Sequence, residues 1–100
     1  MAMKYRVKYL SIANMDILAI DEVLAEYPNK AKRIFQEMDK KLQLLEDMPH
    51  MWPYYGDKMK YRKMILEDYL LFYLVDDEVK EVKVYRVLYA RMDMPVHIEE

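Results

Sequence analysis

Seven apolar residues, Tyr69-Leu70-Leu71-Phe72-Tyr73-Leu74-Val75, run without interruption between the acidic pairs Glu67-Asp68 and Asp76-Asp77. A bilayer-spanning helix needs about 20 apolar residues, so the run is far too short to be one. Bounded by turn-forming acids, it reads as a β-strand that is apolar on both faces. Such a strand lies centrally in a sheet, with a cover over each side. Its neighbours follow from spacing. Residues 58–66 and 81–89 read as strands, joined to it by a tight turn at Glu67-Asp68 and a wider one at Asp76-Asp77-Glu78. These are hairpin spacings, and the C-terminal half is expected to be an antiparallel meander.

The N-terminal half supplies a cover. Residues 4–10 alternate Tyr5, Val7 and Tyr9 with Lys4, Arg6 and Lys8, the period of a strand with one wet face. A helix capped by Ser11 or Asn14 follows, with Asp16 suited to its positive end and a stripe of Ile17, Ile20, Leu24 and Tyr27. Pro28-Asn29 breaks it. A second helix over 29–47 repeats Ala31, Ile34, Phe35, Met38, Leu42 and Leu45 at spacings of three and four. So short a break implies an antiparallel helical hairpin. Its first arm is acidic and its second basic, which predicts a modest attraction at their rims. The expected architecture is α+β, in the order β-α-α-β-β-β. The hairpin packs on one face of a small, mainly antiparallel, four-stranded twisted sheet. The other face is the natural place for a site.

One hundred residues make one domain, 1–100, with 92–100 expected to be a poorly ordered tail around Pro95. No N-terminal apolar block has signal-peptide length, and there is no cysteine, so disulfides, thiolate zinc sites and a cysteine nucleophile are excluded. A cytoplasmic chain without a membrane partner is expected. The formal net charge is −2. Nucleic-acid binders usually carry surplus Lys and Arg, so any such role here must rest on a local patch.

With Gly56 the only glycine, no phosphate-cradling loop exists. His50 and His97 read as solvated surface histidines, and Asp76-Asp77-Glu78 as a hydrated turn; no metal or other cofactor is expected. The basic cluster Lys58-Met59-Lys60-Tyr61-Arg62-Lys63 stands out, since four bases without an acid follow Trp52, Tyr54 and Tyr55. On a strand, Lys58, Lys60 and Arg62 share a face, and the last strand adds Lys83, Arg86 and Arg91. Bases interleaved with aromatics suit a phosphate backbone and stackable unpaired bases. A solvated strand face, or one meeting an acidic protein, fits the same residues equally well. In the last strand Val82 and Val84 have one parity, Val87 and Tyr89 the other. Either a β-bulge near Tyr85-Arg86 re-aims Arg86, or the strand is buried on both sides with Arg86 reaching a carboxylate.

The segment Tyr61-Arg62-Lys63-Met64-Ile65-Leu66-Glu67-Asp68-Tyr69-Leu70-Leu71-Phe72-Tyr73-Leu74-Val75-Asp76 resembles the second and third strands of RelE/ParE-type toxins. Residues Val82 to Asp93 resemble that family's closing strand. The N-terminal strand, the helix containing Asp16 and Leu45-x-x-x-Pro49 fit as well, so the resemblance spans about residues 4–93. It implies the toxin half of a bacterial type II toxin–antitoxin module, with a cognate antitoxin as partner. It also implies one of two activities: RelE-like cleavage of ribosome-bound mRNA, or ParE-like poisoning of DNA gyrase without nuclease action.

Of these, cleavage of ribosome-bound mRNA is the expected activity, with Arg62, Arg86, Tyr89 and Arg91 as catalytic residues and Lys58, Lys60, Lys63 and Lys83 binding nucleic acid. The arginines would stabilise charge as a ribose hydroxyl attacks, and Tyr89 would stand where many members place a histidine. That centre requires the guanidinium groups to converge on the uncovered sheet face. Tyr89, Ala90, Met92 and Leu70 depart from the nuclease pattern, as does the low net charge. They leave the gyrase-directed reading, and a decayed toxin, as alternatives.

Overall fold

The computed structural model describes residues 4–91. The elements are β1 (Arg6–Tyr9), α1 (Ser11–Val23), α2 (Pro28–Leu45), β2 (Arg62–Leu66), β3 (Tyr69–Asp76) and β4 (Glu81–Tyr89). They form one sheet in the order β1-β4-β3-β2, with β1 parallel to β4 and the other pairs antiparallel. The expected order and α+β architecture hold, with β3 inside the sheet. Among the described residues, no helix is long and apolar enough to cross a membrane. The tail with His97 lies outside the described residues.

Local chemistry explains most boundaries. The residue before a proline avoids helical backbone, and Tyr27 is non-helical (φ −129°, ψ 64°), which separates the two helices. Pro28 then opens α2, where its missing N–H costs nothing. In α2, Ile34, Met38, Leu42 and Leu45 are buried, as the spacing predicts. α1 differs from expectation. Its N-cap is Leu10, without a side-chain cap bond, and it ends at Val23 rather than reaching Tyr27, which is exposed. The two-residue β2–β3 turn places Glu67 in left-handed backbone (φ 55°). Arg33 holds it there, its Nε and Nη2 donating to the Glu67 carboxylate at 2.6 and 2.9 Å. Lys30 donates to Asp68 at 2.9 Å. These α2 bases therefore reach the β2–β3 turn, not the acids of α1.

The main core lies between helices and sheet. Met64, Leu66, Leu71, Tyr73, Val82 and Val84 are fully buried there against Ala13, Ile34 and Leu45. A second cluster occupies the opposite sheet face: Phe72 and Leu88, packed against Tyr55, Tyr61, Leu70 and Tyr85. The apolar residues on both sides of β3 thus find two covers, the helical hairpin and an aromatic group from the 55–61 segment. The cover expected over each side of β3 is present, and the face read as the place for a site carries its own small core.

Candidate functional site

Tyr61 and Tyr85 stack across the aromatic cover at 4.7 Å between centroids, 16° from parallel, and Tyr55 meets Phe72 edge-on at 5.1 Å. Bases of the sequence cluster border it: Lys60 Nζ lies 5.4 Å from the Tyr61 ring and Lys63 Nζ 5.7 Å from Tyr55. Lys58 is exposed in the segment before β2. The strand expected over 58–66 begins only at Arg62, because Gly56 and Met59 take positive φ and bend the chain. Lys58, Lys60 and Arg62 therefore do not share a strand face. Lys83 sits opposite Leu74 and donates to Asp76 at 3.4 Å.

The bulge in β4 exists where the parity break placed it. Phe72 pairs with Arg86 and Tyr73 with Val84, leaving Tyr85 as the extra residue. β1 has ended by then, so the outer edge of β4 is free to pair with something else. Asp16 of α1 fills the gap and accepts the Val87 N–H at 3.0 Å. The same carboxylate takes Arg86 Nε at 2.7 Å and Nη2 at 3.1 Å. Both side chains are largely buried, 16% exposed for Arg86 and 13% for Asp16. The Asp16 hydrogen bond raises the Arg86 pKa further, against the opposing effect of burial. Bulge and carboxylate, posed as alternatives by the sequence, occur together.

Arg62 has a different setting. Its register opposite Tyr73 puts it on the helix side of the sheet. There Nη1 donates to the carbonyls of His50 (3.1 Å) and Trp52 (2.7 Å), and the guanidinium lies 4.0 Å from the Tyr54 ring. Tyr89 also faces the helix side, edge-on to Tyr69 at 5.5 Å. Arg91 is exposed in the turn after β4. Arg62 and Arg86 lie on opposite sides of the sheet, one held by loop carbonyls and the other by Asp16, so the structure does not bring these two guanidinium groups together.

Concave regions border both arginines. A cleft of about 580 Å³ lies between α1 and the far end of the β3–β4 hairpin, with Ile20, Val23, Leu24 and Val87 as apolar walls and Lys30, Asp68 and Tyr89 at its rim. A smaller notch of about 220 Å³ is lined by His50, Tyr54, Met59, Lys60, Arg62 and Asp77, among others. His50 and Asp77 are exposed, as the sequence predicts, and they also meet, with Nε2 3.1 Å from Asp77 Oδ1. In the same turn Asp76 accepts the N–H groups of Glu78 and Val79, and Asp77 accepts the Tyr5 hydroxyl at 2.5 Å. Among the described residues, no group of three or more potential ligands is arranged to hold a metal.

Solved structures place this fold among toxins of toxin–antitoxin modules. A chromosomal ParDE system from P. aeruginosa aligns at TM-score 0.71 with 18% identity, covering 90% of this chain and 100% of that one. A mutant E. coli RelE toxin in the free state aligns at 0.69 with 20% identity, over 95% and 93%. The RelBE2 toxin–antitoxin complex from Mycobacterium tuberculosis aligns at 0.58 with 20% identity, over 86% and 98%. At these identities the likeness is one of fold. No curated protein matches the sequence. The family model described as "ParE toxin of type II toxin-antitoxin system, parDE" matches residues 7–94. The chain therefore belongs to the ParE toxin family of type II toxin–antitoxin systems.

Proposed function

We propose that this toxin arrests growth by binding a protein target, DNA gyrase in the ParE manner, without cleaving RNA, and that a cognate antitoxin neutralises it. The Arg86–Asp16 pair carries the reading. An arginine that is to stabilise a developing phosphate charge needs its N–H groups aimed at the reacting centre. Here Arg86 donates two of them to a carboxylate on α1, and removing it from that buried pair is costly. The aromatic cover over Phe72 and Leu88 points the same way, because it fills the sheet face where guanidinium groups would have to meet.

The antitoxin finds a docking surface on α1. Met15, Leu18 and Val23 are each about two-thirds exposed, and the cleft beside β4 continues this apolar surface. Asp21, Glu22 and Glu26 flank it, and residues 11–29 contain no base. An amphipathic segment with apolar anchors and a Lys/Arg rim matches both features.

Induction of the toxin without its antitoxin tests the reading. The expected result is a DNA-damage response with intact mRNA. Fresh mRNA 5′ ends inside translated codons would overturn it. In that event Arg62, Arg86, Tyr89 and Arg91 become the catalytic set, with Lys58, Lys60, Lys63 and Lys83 as phosphate contacts. Expression without either response and without growth arrest would mark a decayed toxin.

A further inference from the structure

The methionines among the described residues divide by exposure. Met38 and Met64 lie in the main core, whereas Met15, Met48, Met51 and Met59 each expose 45% or more of their surface. A buried thioether is shielded from dissolved oxidants and an exposed one is not. Met48 and Met51 follow α2, and Met59 precedes β2. Of these exposed methionines, Met15 is the one that stands on α1.

Its place on the helix is central. Ala13 and Ile20 are buried beneath α1 and Asp16 reaches β4, so Met15 points away from the sheet. Residues three apart are neighbours on a helix, which puts Ile12 on one side of Met15 and Leu18 on the other. Ile12 is 39% exposed, Met15 68% and Leu18 67%, and none of the three carries a charge. A partner laid on this stripe dehydrates its middle most completely, and contacts at the dry centre of an interface carry most of the binding energy. A polar group placed there loses its water without gaining a partner.

We propose that Met15 is an oxidation site whose state decides whether the free toxin can be neutralised. This role of Met15 rests on the docking of the antitoxin on α1 proposed above. The oxidant is hydrogen peroxide. A lone pair of the Met15 sulfur attacks one peroxide oxygen, so that an S–O bond forms as the O–O bond breaks. Sulfur gives up two electrons, and the departing hydroxide takes the proton from the sulfur-bound oxygen and leaves as water. The sulfoxide is polar and accepts hydrogen bonds, where the thioether was apolar. In the complex the antitoxin covers the sulfur, so peroxide reaches it in the free toxin. Oxidised toxin then escapes renewed neutralisation until a methionine sulfoxide reductase restores the thioether.

Peroxide treatment of the full chain, followed by titration with the cognate antitoxin, tests it. Peptide mass spectrometry is expected to show one added oxygen on Met15, Met48, Met51 and Met59, with Met38 and Met64 protected. Affinity for the antitoxin is expected to fall about tenfold or more on treatment, the effect of an unpartnered polar group at a buried contact. In Met15→Leu the loop methionines are still oxidised, and treatment should leave that variant's own affinity unchanged. Leu18→Glu, left unoxidised, separates the two levels. If it binds the antitoxin as the parent does, docking on α1 is wrong and the role of Met15 falls with it. If it binds weakly while the oxidised parent binds undiminished, docking on α1 holds and the role of Met15 alone is overturned. An equal loss in treated Met15→Leu also overturns it, by moving the effect to the loop methionines. So does a Met15 that stays reduced while the others are oxidised.

Discussion

Asp16 stands where a further residue of β1 would have paired with β4, and it meets the needs of both the Val87 N–H and the Arg86 guanidinium. One carboxylate therefore ties α1 to the strand edge at the point where the bulge has broken the ladder. Asp16→Ala leaves a largely buried guanidinium and a strand N–H without their partner, and is expected to destabilise the protein by about 3–5 kcal/mol. Arg86→Met alone should cost a similar amount. The double variant should cost clearly less than the sum, and urea denaturation of all four proteins in the cycle measures the coupling. Additive effects would show that the pair contributes little to stability.

Arg86→Lys isolates geometry from charge. Lysine keeps the positive charge but cannot present two parallel N–H groups to Asp16. The expected loss is about 1–2 kcal/mol, smaller than for Arg86→Met. On the proposed function, growth arrest by Arg86→Lys should track the amount of folded protein. A loss of toxicity without loss of folded protein would return Arg86 to a direct role.

Burial raises the Tyr73 pKa from 10.0 to about 12, and its hydroxyl donates to the Pro49 carbonyl at 3.0 Å. The folded state thus holds this proton more tightly than the unfolded chain. Its contribution is fully present below pH 10 and is lost as pH rises through about 12. Tyr73→Phe should flatten that alkaline decline, at a cost of about 1 kcal/mol near neutrality for the missing hydrogen bond. Urea midpoints measured across the alkaline range decide it.

Acid acts through other groups. Arg33 lowers the Glu67 pKa by a hydrogen bond, and Tyr5 does the same for Asp77. These carboxylates contribute stability above their unfolded values, and that stability is lost as pH falls through the folded ones. The decline is expected below about pH 4. Glu67→Gln should make the acid slope shallower. An unchanged slope would mean that the Arg33 pair adds nothing measurable, the common outcome for exposed ion pairs.

The features legible in the sequence were those with a period or a stop signal. The 69–75 run marked the inner strand, Pro28 the helix boundary, and the Val84/Val87 parity change the bulge. The site was harder to read because its partners are distant in sequence. Asp16 and Arg86 are 70 residues apart, and His50 and Asp77 27 apart. A carboxylate at the start of a helix carries a local explanation, the helix dipole, which hides its role at a strand edge. The cover over Phe72 was missed for a related reason. Tyr55 and Tyr61 sit in a stretch whose bases suggested a ligand face, yet their rings fill an apolar surface of β3.

If the antitoxin docks on α1, one apolar side chain there should separate neutralisation from toxicity. Leu18 is 67% exposed and has no part in the main core, so Leu18→Glu should change stability by only about 0.5 kcal/mol. Against a partner with apolar anchors, the same change inserts an unpaired charge at the contact and should weaken binding by at least about 2 kcal/mol. In cells carrying the intact module, Leu18→Glu is then expected to arrest growth despite the antitoxin, while the toxin alone remains as toxic as the parent. Lys41→Met, on α2 beside Ile65, serves as the control that should leave neutralisation intact. Full neutralisation of Leu18→Glu would move the docking surface away from α1.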